Sequence, residues 1–326
     1  MNLSRLEHIL LNITSKGFEN AAIELYRMQA EENQVLANFH RLLNHDASRV
    51  TRMTQMRFLP VAFFKTHTVI RRGLSAAVEF SSSTTTGSRP GLHPVADPAL
   101  YEEVFCRIFS ERYGDLSKTA VVALLPSYME RTGSSLIYMV DHLIRQSGSV
   151  HSGFFLHRSD ELRSAIDQAK HSGERVILFA VTFALLQLAE SQFDLSGVLV
   201  IETGGMKGRG KELIREELVR YVKASCSPDS VDSEYGMTEL LSQAYSSENG
   251  LLKAPVWMKT MVRETGDPFS ISEQGRGLLN IIDLANADSC AFIATDDLVS
   301  VGDDGFRILG RADHSEIRGC NLMLSV

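Results

Sequence analysis

Long hydrophobic runs are missing from this 326-residue sequence. The least polar stretch, Val176–Ala189, has fourteen residues, short of the ~20 that a bilayer-spanning helix needs. It reads instead as a buried strand followed by a helix. The N-terminus, Met1 to His8, lacks a basic region leading into an apolar segment and a small-residue cleavage site, so a cytoplasmic protein is expected. A surplus of positive charge is also missing. The net charge of −7 argues against an electrostatic nucleic-acid binder, because neutralising phosphates takes a basic surface. Cysteine is scarce: Cys106, Cys226, Cys290 and Cys320 stand far apart, with no Cys or His at metal-ligand intervals. That spacing argues against a disulfide framework and a zinc site. Neither a Gly-x-Ser-x-Gly elbow nor a His-Glu-x-x-His pair occurs, so hydrolase and metalloprotease chemistry has no support.

What is present is the composition of a folded protein, 44% hydrophobic and 22% charged. Leu3, Leu6, Ile9, Leu10 and Ile13 recur on one helical face, and Ala22, Leu25, Val35, Phe39 and Leu42 continue the pattern, which predicts a helical lead-in over residues 1–75. Residues 76–228 alternate short apolar strands with capped helices, the signature of a mostly parallel α/β sheet flanked by helices. Asp97-Pro98 is an N-cap with proline at the first helical position, opening a helix through Phe109. Strands are expected at Thr119–Leu125, Phe154–Leu156, Arg175–Phe179 and Gly197–Ile201. Helices are expected at Ser134–Gln146, Ser159–His171 and Lys211–Val222. From residue 229 to 326 the helices thin out, and Val256–Arg263, Gly277–Ile282, Phe292–Ala294 and Phe306–Leu309 read as strands of a β-rich subdomain within one continuous domain.

Four short stretches carry the chemistry. Ser81–Gly87 follows the strand-like Ala77–Phe80 and offers six hydroxyls ending in glycine, suited to wrapping phosphate oxygens, although such clusters also form ordinary surface loops. Tyr235-Gly-Met-Thr-Glu239 places a ring able to stack on a purine beside a hydroxyl for an α-phosphate and a carboxylate for magnesium. Its structural alternative is a strand end running into a helix capped by Thr238. Asp296 and Asp297 follow an apolar strand, where a carboxylate can accept both ribose hydroxyl protons, or they form an acidic turn. Gly310-Arg-Ala-Asp313 brings Arg311 within reach of ribose or phosphate and offers Asp313 as a pivot; otherwise it is a surface turn. A fifth stretch, Gly205–Lys211, nearly matches a P-loop, but Glu212 stands where a Ser or Thr would ligate magnesium. The Gly204-Gly205 pair reads better as backbone against which a flat base can lie.

In this order the stretches resemble the adenylate-forming superfamily of acyl-CoA synthetases, peptide-synthetase adenylation domains and luciferases. Phe58–Lys65, Glu202–Arg209, Glu234–Glu239 and Ser315–Cys320 are most similar to the acyl-protein synthetase of bacterial luminescence and its relatives. The resemblance implies that Ser83, Thr84, Thr85, Thr86 and Gly87 hold ATP phosphates and that Gly204 and Gly205 lie near adenine. It further implies that Tyr235 stacks on the ring, Thr238 contacts the α-phosphate, Glu239 binds Mg2+, Asp297 holds the ribose and Arg311 assists. The family's ribose motif usually reads Thr-Gly-Asp; here it is Thr295-Asp-Asp297.

The implied chemistry is attack of a fatty or aromatic carboxylate on the α-phosphorus of ATP, giving an acyl-adenylate and pyrophosphate, then transfer to a thiol. Cys320 matches the acyl-accepting cysteine of the luminescence relatives, with an acyl-accepting protein or reductase as the implied partner. A small apolar packing role for Cys320 stays open. Leu124–Tyr128 and Ser134–Tyr138 are acid-pocket walls by family position, or simple core. Only thirteen residues follow Asp313 and no lysine follows Lys259, so the family's C-terminal lid domain, with its adenylation lysine, is expected to be absent. Two functions follow: an ATP- and Mg2+-dependent acid–thiol ligase, or a catalytically reduced nucleotide- and acyl-binding subunit that works only within a complex.

Overall fold

The computed structural model describes residues 3–82, 89–126, 133–205, 214–247 and 249–312. Helix α1 (Arg5–Lys16) starts at a capping box, in which the Ser4 hydroxyl accepts from the Glu7 N–H and the Glu7 carboxylate accepts from the Ser4 N–H. Helices α2 (Phe18–Glu32) and α3 (Gln34–Leu42) follow, the latter capped by Asn33. Strand β1 (Leu59–Pro60) is short, and β2 (Val78–Ser81) and β3 (Leu92–Val95) form an antiparallel pair. Asp97 caps α4 (Pro98–Tyr113), as the sequence predicts.

Next come β4 (Thr119–Leu124), α5 (Ser135–Ser147), β5 (Gly153–Phe154), α6 (Ser159–His171), β6 (Arg175–Ala180), α7 (Thr182–Glu190), β7 (Val198–Glu202), α8 (Arg215–Cys226) and β8 (Ser230–Tyr235). Strands β5, β4, β6, β7 and β8 lie parallel in that order. Every residue of β4 is buried, as expected of a strand covered on both faces. The two-residue period sorts its side chains: Val121 and Ala123 join Ile177, Phe179 and Ile201 in the core beneath α4 and α5. Ala120, Val122 and Leu124 join Val176, Leu178 and Val200 in the core beneath α6, α7 and α8.

The C-terminal part is antiparallel: β9 (Ala244–Ser246), β10 (Leu252–Lys253), β11 (Met258–Arg263), β12 (Ile271–Ser272), β13 (Gly275–Asp283), β14 (Phe292–Gly302) and β15 (Gly305–Arg311). Among the described residues thirteen strands form one sheet, in the order β12-β11-β13-β14-β15-β10-β9-β8-β7-β6-β4-β5, with β1 beside this path and parallel to β14. The mixed α/β architecture and its β-rich C-terminal part match the expected fold class.

One strand differs from the sequence reading. The strand expected at Phe292–Ala294 continues to Gly302, because the acidic pair sits in a bulge rather than past the strand's end. The alternative of a helix capped by Thr238 is not what the described residues form: residues 237–240 make a turn, closed by the Leu240 N–H on the Met237 carbonyl at 3.1 Å. Helix α8 begins at Arg215; the expected start at Lys211 lies outside the described residues.

The helical lead-in is fastened close to the acidic strands. The Gln29 amide donates to the carbonyls of Asn286, Ala287 and Ser289 and accepts from the Ala291 N–H. Asn33 donates to Ser289 at 2.8 Å. These buried bonds hold the connection between β13 and β14 against α2, where its backbone polar groups would otherwise go unpaired.

Candidate functional site

Strand β8 carries Tyr235 at its C-terminal end, and β14 and β15 bring Asp297 and Arg311 beside it. The Tyr235 hydroxyl donates to Asp297 Oδ2 at 2.8 Å. Asp297 and Arg311 are direct cross-strand neighbours, with Arg311 Nε 3.3 Å from Asp297 Oδ1. The Arg311 side chain is 74% exposed whereas Asp297 is 13% exposed, so the guanidinium is open to a ligand while the carboxylate is held from behind. Burial and the neighbouring Asp297 charge raise the Tyr235 phenol well above its ordinary pKa, which keeps it a donor. Its ring packs edge-on against Phe306.

The Thr238–Glu239 turn is tied from below by two buried residues that nothing in the local sequence marks. His93, on β3, places Nδ1 2.7 Å from the Thr238 carbonyl and Nε2 3.2 Å from Asn286 Oδ1. The Asn286 amide donates to the Glu239 carbonyl at 2.8 Å and to the Cys290 carbonyl at 2.9 Å. Both neighbours of His93 are acceptors, and only a protonated ring could donate to both. Burial opposes that charge and lowers the His93 pKa to about 4, so near neutrality the shorter contact, to Thr238, carries the ring's one proton.

The Glu239 side chain is buried beside Gly91, where a Cβ would come within 2.6 Å of Oε1. Burial raises its pKa, and the charges of Arg311 and Lys65 work in the opposite direction. A single carboxylate is a fitting donor for magnesium, which commonly takes one or two protein carboxylates together with phosphate oxygens. Among the described residues no cluster of three or more His, Cys, Asp or Glu could hold a metal alone.

The glycine pair lies at the end of β7 with φ of 73° at Gly204 and 95° at Gly205, in the left-handed region that favours glycine. Glu202 Oε1 accepts from the Gly204 N–H at 2.8 Å and from the Thr182 hydroxyl, while the Thr182 N–H donates to the Gly204 carbonyl at 3.1 Å. The Glu234 carboxyl feels the charge of Glu202. Burial and the nearby Glu202 push its carboxyl up to about 8.

Ser83, Thr84, Thr85, Thr86, Gly87, Asp313 and Cys320 lie outside the described residues, as does most of the P-loop-like stretch. The described cysteines are poor nucleophiles by environment: burial pushes Cys106 up to about 11 and Cys290 up to about 12, and raises Cys226 as well. No described helix is long and apolar enough to cross a membrane.

No protein-family model and no curated protein matches the sequence. Solved structures do match by shape. An open conformation of 2-hydroxyisobutyryl-CoA ligase, in complex with 2-HIB-AMP and CoA, aligns over 92% of this chain and 75% of its own, with TM-score 0.68 and 11% identity. O-succinylbenzoate coenzyme A synthetase from Bacillus subtilis, in complex with AMP, aligns over 74% of this chain and 50% of its own, with TM-score 0.51 and 17% identity. McyG A-PCP complexed with phenylalanyl-adenylate aligns over 86% and 54%, with TM-score 0.51 and 14% identity. This chain shares its fold with these proteins.

Proposed function

We propose that this chain activates a carboxylic acid, fatty or aromatic, with ATP to form an acyl-adenylate, and then passes the acyl group to a thiol. The observation that carries the proposal is the convergence of Tyr235, Asp297 and Arg311 beside the Thr238–Glu239 turn, within a fold shared with ligases solved with AMP and acyl-AMP. Asp297 accepts from the ribose hydroxyls, and the exposed Arg311 reaches ribose or phosphate oxygens. Thr238 donates to the α-phosphate, and the turn of Gly204 and Gly205 lies against the base. Ser83 to Gly87 wrap the remaining phosphates. Glu239 would hold Mg2+, which neutralises phosphate charge.

In the first step a substrate carboxylate oxygen bonds to the α-phosphorus and the bond to pyrophosphate breaks. No side chain becomes covalent in that step, so orientation and charge do the catalysis. In the second, a thiolate bonds to the acyl carbon and AMP leaves. Cys320 or a thiol of a partner protein accepts the acyl group. ATP–pyrophosphate exchange with a panel of fatty and aromatic acids tests the first step, and intact-protein mass spectrometry for a hydroxylamine-labile adduct on Cys320 tests the second. No exchange with any acid, with ATP still bound, would refute the ligase.

The burial of Glu239 favours a second reading, because its carboxylate is little exposed to an incoming metal. In it the chain binds nucleotide and acyl group but turns over only in complex with an acyl reductase or transferase. ATP binding by calorimetry without exchange supports that reading, and turnover by the isolated chain excludes it.

A further inference from the structure

The acidic pair sits in a bulge. Leu278 pairs with Leu298 and Asn280 with Ala294, so Leu279 alone faces Thr295, Asp296 and Asp297. Such a bulge breaks the ladder, and the carbonyls it strips of partners are buried here. One side chain answers both. Arg263, on β11 and 8% exposed, reaches across β13; its Nη1 donates to the Leu279 carbonyl and to Asn280 Oδ1, each at 2.9 Å, and its Nη2 donates to the Thr295 carbonyl. The Thr295 hydroxyl donates to the same Leu279 carbonyl at 3.1 Å and accepts from the Asp297 N–H at 3.1 Å. A continuous chain of bonds therefore runs from Arg263 through Thr295 to the backbone of Asp297. Burial disfavours the Arg263 charge, and the carboxylates of Asp296 and Asp297 offset this in part.

We infer that Arg263 is a positioning residue for the nucleotide site: it holds open the bulge that turns Asp297 toward Tyr235 and Arg311, and it sets the ribose carboxylate without touching the ligand. The inference rests on the assignment of Asp297 to ribose. Without Arg263 the buried Thr295 carbonyl loses its donor and the Leu279 carbonyl keeps only the Thr295 hydroxyl, and the strand relieves this by closing the bulge, which changes the face to which residues beyond it point.

The test is calorimetric binding of ATP and of 2′,3′-dideoxy-ATP, both with Mg2+, to the wild-type chain, Asp297→Asn, Arg263→Lys and Thr295→Val. The wild type is expected to prefer ATP by about tenfold or more, as the loss of hydrogen bonds to a carboxylate implies. Asp297→Asn removes the preference, and Arg263→Lys reduces it to about threefold or less while dideoxy-ATP binds as before. A general loss of structure would weaken both nucleotides alike and leave the ratio unchanged. A folded Arg263→Lys that keeps the full preference overturns the inference alone. Equal binding of both nucleotides by the wild type overturns the ribose assignment and the inference with it. Should Arg263→Lys fail to fold, Thr295→Val decides, since it breaks the next link: a lost preference supports the chain of bonds and a retained one refutes it.

Discussion

The hydroxyl of Tyr235 donates to the carboxylate of Asp297 across 2.8 Å, although the two residues are 62 positions apart in the chain. The bond joins the last residue of the parallel half of the sheet to a bulge in the antiparallel half. A proposed base-stacking ring and a proposed ribose carboxylate are thereby fixed relative to one another.

Tyr235→Phe keeps the ring and removes that bond. Arg311 remains beside Asp297, so the expected loss in ATP affinity is about 1–2 kcal/mol, roughly a tenfold rise in Kd by calorimetry. Unchanged affinity would mean that the hydroxyl does not orient the carboxylate.

Gly91→Ala tests Glu239. The new Cβ would come 2.6 Å from Glu239 Oε1, and the flexible carboxylate is the group that must move. The melting temperature should fall by only about 2–4 °C, as for a loss near 1 kcal/mol, while pyrophosphate exchange drops at least about tenfold at low Mg2+ and recovers partly at high Mg2+. Normal exchange at low Mg2+ would argue against Glu239 as the metal-holding residue.

His93 makes stability depend on pH. Its folded pKa, lowered by burial to about 4, lies below the unfolded value of 6.5, so the unfolded chain binds more protons between these limits. The contribution is complete above about 6.5 and is lost as the pH falls toward 4, with a ceiling of about 3 kcal/mol. The difference in melting temperature between wild type and His93→Gln should shrink across that window. A constant difference would show that His93 is not buried as a neutral ring.

Glu234 works in the opposite direction. Its carboxyl, pushed up by burial and Glu202 to about 8, binds a proton in the folded state that the unfolded state has released. The stabilising effect of the proton is present below about 4.5 and disappears as the pH rises through 8. Glu234→Gln should therefore gain on the wild type steadily between pH 5 and 8 in thermal melts, and equal slopes would indicate a solvated carboxylate.

Local chemistry made much of this architecture legible. Asp97-Pro98 marks the start of α4, and the apolar run at Thr119–Leu124 marks a strand buried on both faces, because caps and side-chain periodicity act within a few residues. The bulge at Thr295–Asp297 was not legible: the acidic pair reads as a strand's end, and what keeps the strand going is Arg263 from two strands away. His93 and Asn286 gave no signal either, since each is an ordinary residue until the turn at Thr238–Glu239 is laid over it.

The sequence by itself determined the alternation of strands and helices, the composition of a folded α/β protein and the order of the candidate nucleotide stretches, all properties of residues and their near neighbours. Only the tertiary structure decided that Tyr235 meets Asp297, that Arg311 stands directly across from it, and that buried His93, Asn286 and Arg263 hold these groups in place. Those contacts depend on which strands pair and on which buried carbonyls are left needing a donor, and both are settled only when distant segments pack.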